Sequence, residues 1–410
     1  MSKKFGNAVI KVVGVGGSGC NAITHMATNE IEGVQFISIN TDAQSLNSKV
    51  ESTKIQIGDM ITKGLGAGAN PDVGRQAAEA DLDLIIETVK GSDMVFITCG
   101  MGGGTGTGAA PVIAKAVKDL GILTVAVVTK PFSFEGNKRM DYADSGINEL
   151  RQHVDALLVI PNEKLSAVFG GKTNLFDAFA KANEVLHNAV QGISEIITSE
   201  GIINVDFNDV KTVMLESGTA MMGMGISNQD NENKAEEAAL KAIDCPLLEE
   251  NALSGAKGLI INVSSDGNID LDDFYMIGET IKRIADKNAT IIMGTSIDTS
   301  LNGAIKVTII ATGLTATNTK LKAKEGQLFD KLINNISKHQ ANRKIEICTE
   351  EKEDIKVDDK AIERQIIKEE REEVNDLNIS AKRDDYVEKK PKSFSIPDFL
   401  KKNLDKGNRG

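Results

Sequence analysis

Along the first 170 residues, short β-branched runs alternate with stretches whose apolar positions recur at three- and four-residue steps. That alternation predicts a Rossmann-like parallel sheet covered by helices, an α/β fold class. The predicted strands are Val9–Val13, Gln35–Asn40, Met94–Cys99, Leu123–Val128 and Ala156–Ile160, each ending at a Gly, Asn, Asp or Pro cluster. In open α/β sheets ligands bind at the carboxyl ends of the strands, so chemistry is expected at those clusters. A long helix is predicted over Asn174–Thr198, where Leu175, Phe179, Ala182, Leu186, Ala189, Val190, Ile193 and Ile197 recur with helical spacing. After the Asn204–Asp209 loop, helices at Asn233–Ile243 and Leu271–Asp286 and strands at Gly258–Val263, Thr290–Met293 and Lys306–Ala311 read as a smaller α+β domain of three or four strands.

The patterning stops near Ala316, and the composition changes with it. Residues 1–315 hold 35 of the 38 glycines and a net charge of −14, whereas 316–410 hold three glycines and a net charge of +2. Glu350–Lys392 is dense in charge and carries one aromatic, Tyr386. Such a segment cannot bury enough apolar surface to offset chain entropy and is expected to be disordered. Apolar residues return in Ser393–Leu400. The expected organisation is therefore 1–173, a parallel-sheet domain; 174–203, a central connecting helix; 204–315, the α+β domain; 316–392, a flexible charged linker; and 393–410, a terminal peptide.

No run of 18 apolar residues is available for a transmembrane helix. Met1–Ala8 lacks the apolar core of a secretion signal. Cys20, Cys99, Cys245 and Cys348 form no CxxC pair, which argues against zinc and against a disulfide framework and fits a reducing cytosol. An acidic front part poor in aromatics is a poor partner for nucleic acid, whose phosphates need clustered Lys and Arg.

Gly14-Val15-Gly16-Gly17-Ser18-Gly19 follows the first strand and precedes a helix predicted over Asn21–Thr28. It fits G-x-G-x-x-G, whose glycines let backbone approach a phosphate at a helix N-terminus. Alone it equally describes an NAD-dependent oxidoreductase, with Asn40 or Asp42 near the ribose position, or a tight turn with no ligand. The second loop separates these readings. Gly100–Gly108 places six glycines in nine residues between the strand Met94–Cys99 and a helix predicted over Ala109–Asp119. That much glycine carries a heavy entropic cost, and it leaves a loop of bare N–H groups with the Thr105 and Thr107 hydroxyls beside them. A dehydrogenase needs one diphosphate loop; two loops at strand ends of one sheet point to three phosphates. Gly170-Gly171-Lys172-Thr173 mimics the end of a Walker A motif, but Ser166 stands where its first Gly belongs, and Asn137-Lys138-Arg139-Met140 lacks the Asp of N-K-x-D.

Gly102–Gly108 reads Gly-Gly-Gly-Thr-Gly-Thr-Gly and resembles the signature of the tubulin/FtsZ superfamily. Asn40-Thr41-Asp42, Asn204–Asp209 and Ile396–Leu400 resemble, in order, motifs of its bacterial cell-division branch. The resemblance covers the chain except the linker. It implies a cytoplasmic GTPase that polymerises into the midcell division ring, with GTP as substrate, GDP as product and Mg²⁺ held mainly through the phosphates. By resemblance Gly17, Ser18, Gly19, Cys20 and Asn21 contact the nucleotide, and Gly104, Thr105 and Gly106 hold its phosphates. Ala67–Asn70, with Gly68, matches a loop near the γ-phosphate. Glu135 and Arg139 match ribose and base-side contacts, Phe179 the residue stacked on guanine, and Asn183 the one pairing with its edge. Some members carry Asp at that last position; the Asn amide accepts from guanine without charge. Ser18 and Cys20 stand where relatives often have Gly. In the tail, Phe394, Ile396, Pro397, Phe399 and Leu400 match a peptide that docks membrane-tethering and regulatory division proteins, so membrane contact is indirect and involves no insertion.

Helix geometry adds a constraint of its own. The sixteen residues from Asn183 to Ser199 span about 24 Å, and Asp206 and Asp209 lie beyond them. These acids are not expected to reach the nucleotide whose base Asn183 contacts, so they would act on one held by another subunit. That head-to-tail contact, repeated without closure, makes a filament. Asp206 and Asp209 would orient and polarise the attacking water, with Asn204 positioning the loop. Without assembly, the two acids read as a helix N-cap and a first-turn acid before Val210–Leu215, and the chain as a GTP-binding scaffold.

Overall fold

The computed structural model describes residues 8–314 except 30, 48–50, 170–173, 199–202, 204, 229–230, 232 and 250–251. Asn204, Gly170–Thr173, the linker 316–392 and the peptide 393–410 with Phe394, Ile396, Pro397, Phe399 and Leu400 lie outside the described residues.

In chain order the elements are β1 (Ile10–Val15), α1 (Gly16–Thr28), β2 (Val34–Asn40), β3 (Thr53–Gln56), α2 (Asp59–Thr62), α3 (Pro71–Ala80), α4 (Leu82–Val89), β4 (Met94–Gly100) and α5 (Thr105–Asp119). Then come β5 (Leu123–Lys130), α6 (Asn137–Leu150), β6 (Ala156–Pro161), α7 (Leu165–Phe169) and α8 (Leu175–Thr198). The remainder is α9 (Phe207–Met214), β7 (Gly218–Ile226), α10 (Lys234–Ile243), α11 (Ala252–Gly255), β8 (Gly258–Ser265), α12 (Leu271–Lys282), β9 (Thr290–Ile297) and β10 (Lys306–Leu314). The ten strands of the described residues form one sheet in the order β3-β2-β1-β4-β5-β6-β7-β10-β8-β9. The first six are mutually parallel, the α/β pattern expected. The α+β block joins the same sheet through three residue pairs between β6 and β7, Ala156↔Gly218 to Leu158↔Ala220. β10 then runs antiparallel to both β7 and β8, and β8 is parallel to β9.

Side chains alternate across each buried strand with a period of two, which divides the core by face. Ile10 and Val12 of β1 with Met94 and Phe96 of β4 pack under α1 and α8. Val13, Val15, Val95 and Ile97 face the opposite way, toward Ile113 of α5 and Ile147 of α6. A third cluster joins β8 and β10 to α10 and α12. At 24 residues, α8 is about 36 Å long. It covers the sheet on both sides of the β6–β7 junction, its Val185 and Ile193 sharing one cluster with Ile160 of β6 and Ile310 of β10.

One buried group on α8 makes the fold acid-sensitive. His187 is 7% exposed, meets His25 of α1 edge-on with ring centroids 5.5 Å apart, and has no hydrogen-bond partner at Nδ1. Burial, then the positive charges of His25 and Lys306, hold its pKa down at about 4. An unfolded histidine protonates near pH 6.5. Between those values the unfolded chain binds the extra proton, so stability from this group is complete above about pH 6.5 and is lost as pH falls toward 4. Relative to His187→Gln, the wild-type protein should lose about 2 kcal/mol more stability on going from pH 7 to pH 5, measured by urea unfolding.

Candidate functional site

The two glycine loops start their helices earlier than their composition predicts. α1 begins at Gly16 rather than Asn21, and α5 at Thr105 rather than Ala109. Gly16, Gly17 and Gly19 thus lie in the first turn of α1, and Gly106 and Gly108 in that of α5. Neither N-terminus has a side-chain cap: Val15 and Gly104 occupy the capping positions with no side-chain hydrogen bond. The first N–H groups of a helix lack intrahelical partners and carry the positive end of its dipole, so two such ends side by side form an anion cradle. The loops meet backbone to backbone. Gly16 sits at φ +74°, a left-handed conformation suited to glycine, and a Cβ there would lie 2.9 Å from the Gly106 nitrogen.

Between the loops and α8 lies a cleft of about 380 Å³, within the usual range for small-molecule sites. Gly17, Ser18, Gly104, Thr105 and Gly106 line one end; Asn21, Glu135, Arg139, Phe179 and Asn183 also line it. Ten residues singled out from the sequence therefore share one cavity. Gly17 and Gly103 border it with no atom within 4 Å of where a Cβ would stand. Among the described residues nothing requires glycine at these two places.

Several expected contacts do not line it. Gly19 is packed down on β4, where a Cβ would lie 2.5 Å from the Thr98 carbonyl oxygen. Cys20 is buried under the loop, its Sγ 3.8 Å from the Ile39 carbonyl oxygen, and burial pushes the thiol up to about 11, so it is unreactive near neutrality. Thr107 also turns inward, accepting from the Gly102 N–H at 2.9 Å. Thr105 hydrogen-bonds the Thr41 hydroxyl at 2.7 Å. Gly68, at φ +60°, belongs to a loop that lies behind Gly104: a Cβ on Gly104 would be 2.8 Å from both Ala67 Cβ and Asn70 N.

At the other end Glu135 accepts from the Phe132 N–H at 2.9 Å and from Arg139 Nη1 at 2.5 Å, so this pair organises the turn before α6 as well as lining the cleft. Phe179 is 43% exposed, stands perpendicular to Phe132 with ring centroids 5.6 Å apart, and lines the cleft together with Asn183. Asn162 also lines the cleft; it is buried, and its Oδ1 has no partner. Sequence reasoning passed over it, although it directly follows Pro161 at the carboxyl end of β6, where a ligand was to be sought.

Asp206 and Asp209 are exposed and do not line the cleft. Asp206 caps α9 by accepting from the Asn208 N–H at 2.9 Å. From Asn183 to Thr198 the helix alone rises about 22 Å. Among the described residues no group of three or more His, Cys, Asp and Glu side chains is placed to hold a metal ion. None of the described helices is long and apolar enough to cross a membrane.

Residues 9–170 match the Tubulin/FtsZ family, GTPase domain, and residues 218–315 match the FtsZ family, C-terminal domain. The cell division protein FtsZ of Buchnera aphidicola subsp. Acyrthosiphon pisum is 48% identical over 404 residues, 98% of this chain and 99% of that protein. Its counterpart from Buchnera aphidicola subsp. Schizaphis graminum is 58% identical over 308 residues, 75% of this chain and 80% of that protein. A solved structure of an empty FtsZ dimer from M. jannaschii superposes with a TM-score of 0.72 at 47% identity, covering 76% of this chain and 89% of that one. CetZ2 from Haloferax volcanii, solved as a GTPγS-bound protofilament, has the same fold, with a TM-score of 0.63 at 17% identity over 79% of this chain and 99% of that one.

Proposed function

The chain belongs to the FtsZ family of tubulin-like GTPases, and from that premise we propose that it holds GTP in the cleft and hydrolyses it at sites completed between subunits. Repeated head-to-tail, the subunits form filaments of the bacterial division ring at midcell. The observation that carries this reading is the pair of uncapped helix N-termini on one cavity, opposite an exposed aromatic ring and two amides. The triphosphate lies along Gly17, Ser18, Gly104, Thr105 and Gly106, and Phe179 stacks on the base. Asn162 and Asn183 offer amide oxygens to guanine N1–H and its exocyclic amine, which adenine does not present in that pattern. Glu135 and Arg139 face the ribose side. The loop residues lining the phosphate end include no Lys or Arg, so neutral donors meet a polyanion and a cation carried on the phosphates fits there. Mg²⁺ bound with the nucleotide would neutralise its β and γ oxygens.

Among the described residues that lining supplies no free base for hydrolysis: its one carboxylate, Glu135, is bonded to Arg139 and to the Phe132 amide. Asp206 and Asp209, exposed and distant along α8, act on a neighbour's γ-phosphate, with Asn204 positioning their loop. The peptide Phe394, Ile396, Pro397, Phe399 and Leu400 recruits membrane-tethering and regulatory division proteins to this cytoplasmic polymer. A nucleotide screen tests the cleft. GTP and GDP should bind at least tenfold more tightly than ATP or NAD, and Asn162→Ala should narrow the guanine preference by a further measurable factor, since each lost pairing is worth about 1–3 kcal/mol. Binding of NAD without GTP would establish the oxidoreductase reading instead.

A further inference from the structure

The cleft wall at Gly103–Gly106 is gripped from behind by two helices. α5, which carries that wall at its start, packs between α3 and α6 through glycines that leave no room for a side chain. On the α3 side, a Cβ at Gly74 would collide with the Gly104 carbonyl oxygen, and one at Gly108 would lie 2.7 Å from the Arg75 nitrogen. On the α6 side, a Cβ at Gly146 would lie 2.5 Å from Thr107 Cγ2, and one at Gly102 would lie 2.7 Å from the Arg139 carbonyl oxygen. Across α5, α3 and α6 are tied by a fork-to-fork pair: Arg75 Nη1 to Glu149 Oε1 and Nη2 to Oε2, each at 2.5 Å.

Glycine notches bring backbones close but offer no interlocking side chains, so they resist sliding poorly. A bidentate guanidinium–carboxylate pair fixes both distance and orientation. We propose that Arg75 and Glu149 are positioning residues that clamp α3 and α6 on either side of α5 and so hold Gly104–Thr105 in place for the terminal phosphate of GTP. Neither residue lines the cleft. The terminal phosphate is singled out by strand order. The base end, at Asn162 and Phe179, lies by β6 and α8, whereas Thr105 meets Thr41 at the end of β2, on the far side of β1. A triphosphate running from β6 toward β2 brings its last group to that corner.

This clamp rests on the nucleotide reading of the cleft, and its test separates the two. With the full chain held below its assembly threshold, binding of GTPγS and of GDP is titrated for wild type, Arg75→Ala, Glu149→Ala and the exchanged double variant Arg75→Glu/Glu149→Arg. Circular dichroism establishes that each is folded at the assay temperature. Each single variant should lose five- to tenfold in GTPγS affinity and less than twofold in GDP affinity, and the exchanged pair should recover most of the loss. An unchanged GTPγS-to-GDP ratio in the single variants, equal weakening of both nucleotides, or no recovery in the double variant would overturn the clamp. A wild-type protein that binds neither nucleotide would overturn the cleft reading itself, and the clamp with it.

Discussion

Asp209→Ala should lower GTP turnover by about 100-fold, the lower range for removing a group that activates a nucleophile, and leave GTP affinity within twofold of wild type. The reasoning is positional. Asp209 is exposed in the first turn of α9 and is not among the cleft-lining residues, so its loss should not touch nucleotide contacts in its own subunit. Wild-type turnover per molecule should be near zero at low protein concentration and rise beyond a threshold, because the site exists only where two subunits meet. Turnover proportional to protein from the lowest concentration would overturn the shared site. Asp206 needs a subtler substitution, since its carboxylate also caps α9. Asp206→Ala removes cap and charge together, at about 1 kcal/mol of stability for the cap. Asp206→Asn keeps an N-cap acceptor and removes only the charge, so a hydrolysis defect in a normally melting Asn variant reports chemistry rather than folding.

How much of this was legible beforehand varies by residue, for physical reasons. The buried parallel strands could be read because burial on both faces writes long β-branched runs, such as Val125-Ala126-Val127-Val128 in β5. β7 could not, because Gly218–Ile226 mixes glycine and methionine, with Gly223 and Gly225 admitting α10 so closely that a Cβ at Gly225 would lie 2.8 Å from Lys241 Cβ. The short edge strand β3, four residues with two exposed, carries too little pattern to register. The observed helix starts lie earlier than predicted at both loops because glycine is a poor helix former, and it is close packing on neighbouring backbone that admits only glycine at Gly16, Gly19, Gly106 and Gly108. Cys20 is a ligand contact only by resemblance; each helical residue is turned about 100° from the last, and Cys20 faces the core while Ser18 and Asn21 line the cleft. Asn162 escaped because one amide after a strand is unremarkable until its buried oxygen is seen without a partner.

The glycines themselves provide the sharpest division between fold and ligand. Gly108→Ala should unfold or severely destabilise the protein, by about 3 kcal/mol or more, because its Cβ would run into the Pro71 carbonyl where α3 meets α5, and neither backbone can yield. Gly17→Ala should do the opposite. Its Cβ meets no protein atom, and alanine in the first turn of α1 favours the helix by up to about 1 kcal/mol, so melting temperature in the absence of nucleotide should hold or rise. The methyl would stand on the wall of the cleft, where phosphate oxygens approach bare backbone, and GTP affinity should fall by about 100-fold. Gly103→Ala, in the turn before α5, should likewise lower GTP affinity while leaving melting temperature unchanged, since its Cβ meets no described atom. Differential scanning calorimetry without nucleotide, set beside GTP titration, reads both quantities. A stable Gly17→Ala protein with undiminished affinity would mean that the open space at the loops is not where the phosphates lie. The expected outcome, stability gained and binding lost at one position, arises only where a glycine is kept for a ligand rather than for the fold.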